Sequence, residues 1–150
     1  MDVPDFIRMS PLLVGLTDDE LAGLLQICEA RAYAAGDLIV QEGTASDCLF
    51  LLEAGAVSVQ RQVDGGAVEL ARLDEAGSFF GEMSLIDILP RSADIRADGD
   101  TRIRALPKKE LTTFFTQSPR VQMTMILNIS RILSLRLRQA DERILALSRQ

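Results

Sequence analysis

A glutamate and an arginine nine residues apart, Glu82 and Arg91, are the side chains of this sequence best suited to binding chemistry. They lie in the segment FGEMSLIDILPRSA, residues 80–93. An arginine guanidinium matches two phosphate oxygens, whereas a carboxylate accepts hydrogen bonds from sugar hydroxyls. A buried anion is tolerated only where it is paired and hydrogen-bonded. The pair therefore suits a pocket for a small anionic ligand that contains a sugar.

Small residues surround this pair, and they would let the backbone approach a ligand. Gly81 allows a close turn, while Ser92 and Ala93 can offer backbone N–H groups, with a hydroxyl from Ser92. Residues 83–86, which begin with Met83 and Ser84, can form a short helix whose N-terminal amides point at the anion. The simpler alternative is an ordinary ion pair between Glu82 and Arg91 on a surface loop.

The elements around the segment are predicted to be short strands. Glycines separate short runs of Ile, Val, Leu and Phe between residues 36 and 99. Asp64-Gly65 and Asp98-Gly99 are typical of hairpin turns. Apolar residues alternate with polar ones in two of the runs, at Val57, Val59, Ile103 and Ala105, as in half-buried strands. This pattern predicts a sandwich or barrel.

Helices are predicted before and after the strands along the chain. Thr17 to Glu20 forms a capping box that opens a helix over Leu21 to Cys28. A further helix begins near Pro107, and Ser118-Pro119 provides a cap followed by a first-turn proline. From there to about Ser148 nothing interrupts the pattern, which predicts a helix about 45 Å long.

Composition excludes several classes of function. The chain has 150 residues, no histidine and a net charge of −6, which disfavours a nucleic-acid partner. Cys28 and Cys48 are too few and too far apart for a disulfide framework or a metal site, so we expect buried free thiols. No apolar run reaches the length of a membrane span. We expect a cytoplasmic protein with neither metal cofactor nor membrane insertion.

The sequence FGEMSLIDILPRSADIRA resembles the cyclic-nucleotide-binding family, which includes catabolite-activator-type regulators, regulatory subunits of cyclic-nucleotide-dependent kinases and cyclic-nucleotide-gated channels. Further similarity to the turns of that fold is found at Gly36 to Ile39, Gly43, Asp47 to Leu52 and Gly55. The resemblance implies a mainly β fold, an eight-stranded β-roll of the jelly-roll type, with N-terminal helices and a long C-terminal helix. It also implies one domain over residues 1–150, with helices at about 10–30, the roll at about 31–106 and helices at about 107–150.

The resemblance also assigns roles within the segment. Glu82 is expected to bind the ribose 2′-hydroxyl, and Arg91 the cyclic phosphate. The remaining ligand-binding residues would be Gly81, Met83, Ser84, Ser92 and Ala93. The ligand would be cAMP or cGMP. Asp94 departs from the family pattern and would add a negative charge near the mouth of the pocket.

The base contact is left open by the resemblance. Bacterial activators place a hydroxyl pair on the long helix against adenine, and the corresponding positions here are Ala140 and Asp141. Arg138 is a further possible base contact. An aspartate accepts hydrogen bonds from adenine or from guanine, so the sequence does not decide between cAMP and cGMP.

The long helix carries an apolar seam in addition. Its members are spaced three and four residues apart over three heptads, as in a coiled coil: Met123, Ile126, Ser130, Leu133, Leu137, Ala140, Ile144 and Leu147. A second stripe of Met125, Ile129 and Ile132 would pack on the roll. We expect a homodimer through Met123–Leu147, the alternative being that the seam is buried on the chain's own barrel.

The same helix has six arginines. They form a solvated face in the simplest interpretation. In the alternatives, Arg136 or Arg138 leans into the pocket, or the helix meets an acidic partner. Because the chain stops at Gln150, we expect no direct DNA binding. The function expected is a non-enzymatic cyclic-nucleotide sensor that acts on an unknown effector protein through a helix rearrangement. The alternative is a ligand-independent dimerisation or interaction module on the same fold.

Overall fold

The computed structural model describes residues 2–44, 47–81 and 93–149. In these ranges the chain forms two four-stranded antiparallel sheets with helices before and after them. The helices are α1 (Asp5–Arg8), α2 (Asp18–Ile27), α3 (Lys108–Gln117) and α4 (Pro119–Ser148). The strands are β1 (Glu29–Tyr33), β2 (Leu38–Val40), β3 (Cys48–Ala54), β4 (Val57–Val63), β5 (Gly66–Leu73), β6 (Phe79–Phe80), β7 (Asp94–Ala97) and β8 (Thr101–Pro107). The predicted mainly β fold with flanking helices is confirmed.

The two sheets have the orders β1-β8-β3-β6 and β2-β7-β4-β5. Asp64-Gly65 makes the predicted hairpin, because Val63 pairs with Gly66 and Gly65 has a φ of 85°. The hairpin predicted at Asp98-Gly99 is wrong. There β7 pairs with β2 and β4, whereas β8 pairs with β1 and β3. The turn is a corner that carries the chain from one sheet to the other.

Strand β3 separates two hydrophobic clusters, since both of its faces are buried. Leu49 and Leu51 point toward the helices and Phe79, whereas Phe50 and Leu52 point into the roll. The rings of Phe50 and Phe80 stack with centroids 5.0 Å apart. Such a pair contributes about 0.5–1.5 kcal/mol beyond its buried area. Because successive side chains of β3 point to opposite faces, this one strand contributes to both the interior of the roll and the layer of helices.

The helix boundaries largely follow the local signals. Thr17 caps α2 through the predicted capping box, in which both reciprocal hydrogen bonds with Glu20 are present. Helix α4 runs over 30 residues and ends at Ser148 as predicted. Ser118 occupies the N-cap position, but its side chain makes no capping hydrogen bond. Pro107 is the N-cap of α3 rather than its first helical residue.

The N-terminal segment packs between α4 and the turn that precedes β6. Asn128 of α4 is buried and donates hydrogen bonds to the carbonyls of Leu12 and Val14, at 2.7 and 2.9 Å. Ser10 Oγ donates to the carbonyl of Gly77 at 2.7 Å. Gly77 has a φ of 92°, and a Cβ there would lie 2.8 Å from the carbonyl oxygen of Phe6. Only glycine fits that position.

Candidate functional site

The predicted ligand-binding segment is anchored at both ends on different sheets. It is entered from β6, the edge strand beside β3, where Phe80 pairs with Phe50. It returns to β7, which lies between β2 and β4 in the second sheet. The two ends of the segment therefore belong to different sheets of the roll.

Gly81 and Ala93 are the two predicted ligand-binding residues within the described ranges. Gly81 follows β6 with a φ of 75°, a left-handed conformation that favours glycine, as the predicted close turn requires. Ala93 directly precedes β7 and is half-buried. Glu82, Met83, Ser84, Arg91 and Ser92 lie outside the described residues, so their roles stay predictions.

Asp94 is a buried structural acceptor in this roll. It is 8% exposed, and its Oδ1 accepts a hydrogen bond of 2.6 Å from the backbone N–H of Glu42. The side chain thereby ties the loop after β2 to the start of β7. The sequence predicted a charge at the mouth of the pocket. The structure adds that this carboxylate holds a loop 52 residues earlier in the chain, and the charge at the pocket mouth stays a prediction.

The long helix contacts the strand that leads into the binding segment through Arg136. The Arg136 guanidinium carbon lies 5.4 Å from the centre of the Phe79 ring, and the side chain is half-buried. Phe79 lies in β6, two residues before Gly81. Phe79 points toward the helices rather than into the roll, so the placement of Arg136 in the pocket stays a prediction, and its aromatic partner was not foreseen from the sequence.

The three possible base contacts lie on the exposed part of α4. Arg138, Ala140 and Asp141 are all exposed. The structure brings none of them onto the described part of the roll, so a base contact from this helix stays a prediction.

A cavity of about 700 Å³ lies elsewhere, where β1, the start of β3 and the start of α3 meet. It contains none of the predicted ligand-binding residues. Its lining includes Arg31, Cys48 and Lys108. Arg31 donates to Glu29 Oε2 at 3.0 Å and lies over the Phe50 ring. No local pattern in the sequence predicts this cavity, because its walls come from three separated segments.

Neither cysteine forms a disulfide, and both thiols are held in the neutral form at neutral pH. Burial raises the pKa of Cys28 to about 11, with Arg104 opposing that shift weakly. Burial also raises the pKa of Cys48, and the neighbouring charge of Asp47 adds to the effect. These thiols are poor nucleophiles at neutral pH. Within residues 2–44, 47–81 and 93–149 no group of three His, Cys, Asp or Glu side chains is placed to hold a metal ion.

A roll of two four-stranded sheets, with Gly81 after its entry strand and a long helix against that strand, is the architecture of a class of ligand-binding domain. Comparison with known families gives the same answer, because the cyclic nucleotide-binding domain family matches residues 30–118. The chain belongs to this family. No helix in the described part of the chain is long and apolar enough to cross a bilayer.

Relatives of different kinds share this domain. The cyclic AMP receptor protein of Thermus thermophilus is 34% identical over 135 residues, which is 90% of this chain and 61% of that protein. Glutaminase 1 of Bradyrhizobium diazoefficiens is 41% identical over 134 residues, which is 89% of this chain but only 21% of the enzyme. The chain therefore spans between about a fifth and three fifths of these relatives.

Solved structures agree on the fold. The crystal structure of the Thermus thermophilus catabolite activator protein superposes with a TM-score of 0.76 and covers 93% of this chain and 63% of that one. A cyclic nucleotide-binding domain from Methylobacillus flagellatus superposes with a TM-score of 0.82 at 26% identity, covering 95% of this chain and 80% of that one.

Proposed function

We propose that this chain is a non-catalytic regulatory module that binds cAMP or cGMP and reports the ligand through α4. The proposal depends chiefly on one observation, that Phe79 is shared between the helix and the binding segment. Its strand leads into residues 81–93, and its ring is covered by Arg136 of α4. A ligand that reshapes the segment would change the position of Phe79, and α4 would respond.

Within the segment, Arg91 would clamp the cyclic phosphate and Glu82 would accept the ribose 2′-hydroxyl. Gly81, Ser92 and Ala93 would line the anion site, with Met83 and Ser84 beside it. The left-handed Gly81 and the half-buried Ala93 support this assignment. Ligand binding to one arrangement of segment and helix would shift the population between two states, a coupling typically worth about 1–3 kcal/mol.

The ligand-dependent change in α4 would act through a homodimer formed by the seam of this helix. Helix α4 presents most of its seam away from its roll face, although the seam residue Leu133 also packs against the core. Met125 and Ile129 are fully buried against the roll. The exposed fractions are 68% at Met123, 64% at Leu137 and 63% at Ile144. An exposed apolar stripe of this length favours a helical partner over burial on the chain's own barrel.

Charges beside the seam favour a parallel, in-register pair. In a heptad scheme that places the seam at a and d, Arg136 is a g position and Asp141 is the e position five residues later. A g residue meets the e residue five positions on in the other helix of a parallel dimer. Arg136 of one copy would thus lie near Asp141 of the second copy. The same Arg136 side chain contacts Phe79 within its own chain.

A ligand-independent dimerisation or interaction module is the second candidate, favoured by the same exposed seam. A thermal-shift experiment separates the two candidates. Nucleotide-stripped protein is heated alone and with cAMP, cGMP or 5′-AMP. A cyclic ligand at 100 times its Kd stabilises by about 2.7 kcal/mol, which raises Tm by about 5–10 °C in a domain of this size. No shift with either cyclic nucleotide at millimolar concentration would favour the interaction module.

A further inference from the structure

Helix α4 has a third face besides the roll face and the seam. At 100° per residue, Arg120, Arg131, Arg138 and Arg149 fall within about 20° of one another. They are separated by 11, 7 and 11 residues and form one straight stripe along the helix. This cationic face points away from both Met125 and Leu137.

Leucines lie beside this stripe and are exposed. Leu127 and Leu135 are each 49% exposed, and Leu145 is 54% exposed. A shallow groove of about 400 Å³ lies at the middle of the face, lined by Ser130, Arg131, Ser134, Leu135 and Arg138. The cationic face thus combines guanidinium groups with apolar contact area.

The arginines of this face differ in what they already bind. Arg120 donates to Glu20 Oε1 and to the carbonyl of Gly15, so it is committed to the N-terminal segment. Among the residues that the structure describes, Arg131, Arg138 and Arg149 have no ion-pair partner and are exposed. Three guanidinium groups therefore remain on the cationic face for a partner molecule.

The uneven distribution of charge along the chain favours one kind of partner for the cationic face. Residues 119–150 carry a net charge of +4, while residues 1–118 carry −10, which together give the −6 of the whole chain. A nucleic acid or an anionic membrane extends well beyond a single helix face and would be repelled by the acidic body. A short acidic protein segment meets only the stripe, and its apolar side chains can use Leu127, Leu135 and Leu145.

We propose that the cationic face of α4 binds an acidic amphipathic helix of an effector protein, with carboxylates against Arg131, Arg138 and Arg149. This surface lies about 130° around the helix from the buried Met125, so both the dimer seam and the ligand segment stay accessible when it is occupied. The inference rests on the proposed function at one point, because it identifies this partner with the effector of a nucleotide-responsive module.

The test uses the full chain and a labelled synthetic helical peptide of about 25 residues, long enough to span Leu127 to Arg149. The peptide carries glutamates on one face at the spacing of the arginines and leucines between them. Its control has glutamine in place of every glutamate. Fluorescence anisotropy should show binding of the acidic peptide and weaker binding of the control. Arg131→Glu should weaken the binding of the acidic peptide about tenfold.

Arg143→Glu is the matched variant, because it makes the same charge change on the same helix about 120° away from Arg131. It should leave peptide binding within about twofold of the wild type. Equal loss in both variants, or no binding of the acidic peptide, would overturn the proposal. Tighter binding to a 20-base-pair DNA duplex or to phosphatidylserine vesicles than to the peptide would overturn it as well.

The same samples distinguish this inference from the proposed function. Thermal shifts with cAMP and cGMP are recorded for each protein used in the peptide assay. Peptide binding without any nucleotide shift contradicts the regulatory function and leaves the cationic face as a docking surface. A nucleotide shift without peptide binding contradicts the docking surface alone.

Discussion

Arg136 of α4 covers the ring of Phe79, with 5.4 Å between the guanidinium carbon and the ring centre. The two residues are 57 positions apart in the sequence, and the contact joins the long helix to the strand that enters the ligand-binding segment. Phe79 itself is 1% exposed and packs among the helices. The contact therefore adds a link between β6 and α4 beyond the part of the helix where Met125 and Ile129 are buried.

Removing the charge from this contact should weaken ligand binding modestly. A cation–π contact of this kind contributes about 0.5–2 kcal/mol. Arg136→Gln should therefore raise the Kd for the cyclic nucleotide severalfold in a calorimetric titration. Arg143→Gln, seven residues further along the same side of the helix and exposed, is the control and should have little effect. Equal effects of the two substitutions would mean that the Phe79 contact is irrelevant to binding.

The seam of α4 should control the oligomeric state. Leu137→Glu places a charge on the proposed dimer interface, and sedimentation velocity should then show the monomer. Leu135→Glu is two residues away on the same helix, exposed but off the seam, and should leave the dimer intact. A wild-type protein that sediments as a monomer at high micromolar concentration would contradict the proposed dimer.

Asp94 should contribute to stability through the loop after β2. Asp94→Ala leaves the partly buried N–H of Glu42 without its acceptor and should lower the free energy of unfolding by about 1–2 kcal/mol. Asp94→Asn retains an oxygen in place and should cost less. Urea unfolding of the three proteins measures both values. If Asp94→Ala were as stable as the wild type, the 2.6 Å hydrogen bond would have no energetic role.

Cys28 should react slowly with alkylating reagents until the solution is strongly alkaline. Its pKa is raised to about 11 by burial, so the neutral thiol persists in the folded state. The associated stability is complete below the ordinary thiol pKa, near 8.5, and is lost as pH rises through about 11. In a Cys48→Ser background, iodoacetamide should modify Cys28 half-maximally near pH 11. Rapid modification at pH 8 would show that the thiol is not buried.

Local signals in the sequence predicted local structure well. The capping box at Thr17 and the Asp64-Gly65 hairpin were both predicted, because their chemistry lies within a few neighbouring residues. The end of α4 and the separation of its apolar stripes also followed from residue spacing. Helix α1 was not predicted, because a single turn over Asp5–Arg8 is too short to show a period.

Features that depend on distant segments were predicted poorly. Asp98-Gly99 has the composition of a hairpin turn, but the pairing partners of β7 and β8 decide that it joins two sheets. The role of Asp94 depends on the backbone of Glu42, and that of Arg136 depends on Phe79. The sequence predicted a ligand-binding role for residues 80–93 but not the contact between Arg136 and Phe79, because these two residues are 57 positions apart.

The central claim is that a cyclic phosphate binds beside Arg91, and calorimetric titration tests it most directly. Nucleotide-stripped wild-type protein and Arg91→Lys are titrated with cAMP and with cGMP. We predict saturable binding of at least one nucleotide by the wild type. Lysine cannot form the two-oxygen contact of a guanidinium, so we predict affinity at least about tenfold weaker in Arg91→Lys. Absence of binding at millimolar ligand, or equal affinity of the two proteins, would contradict the claim.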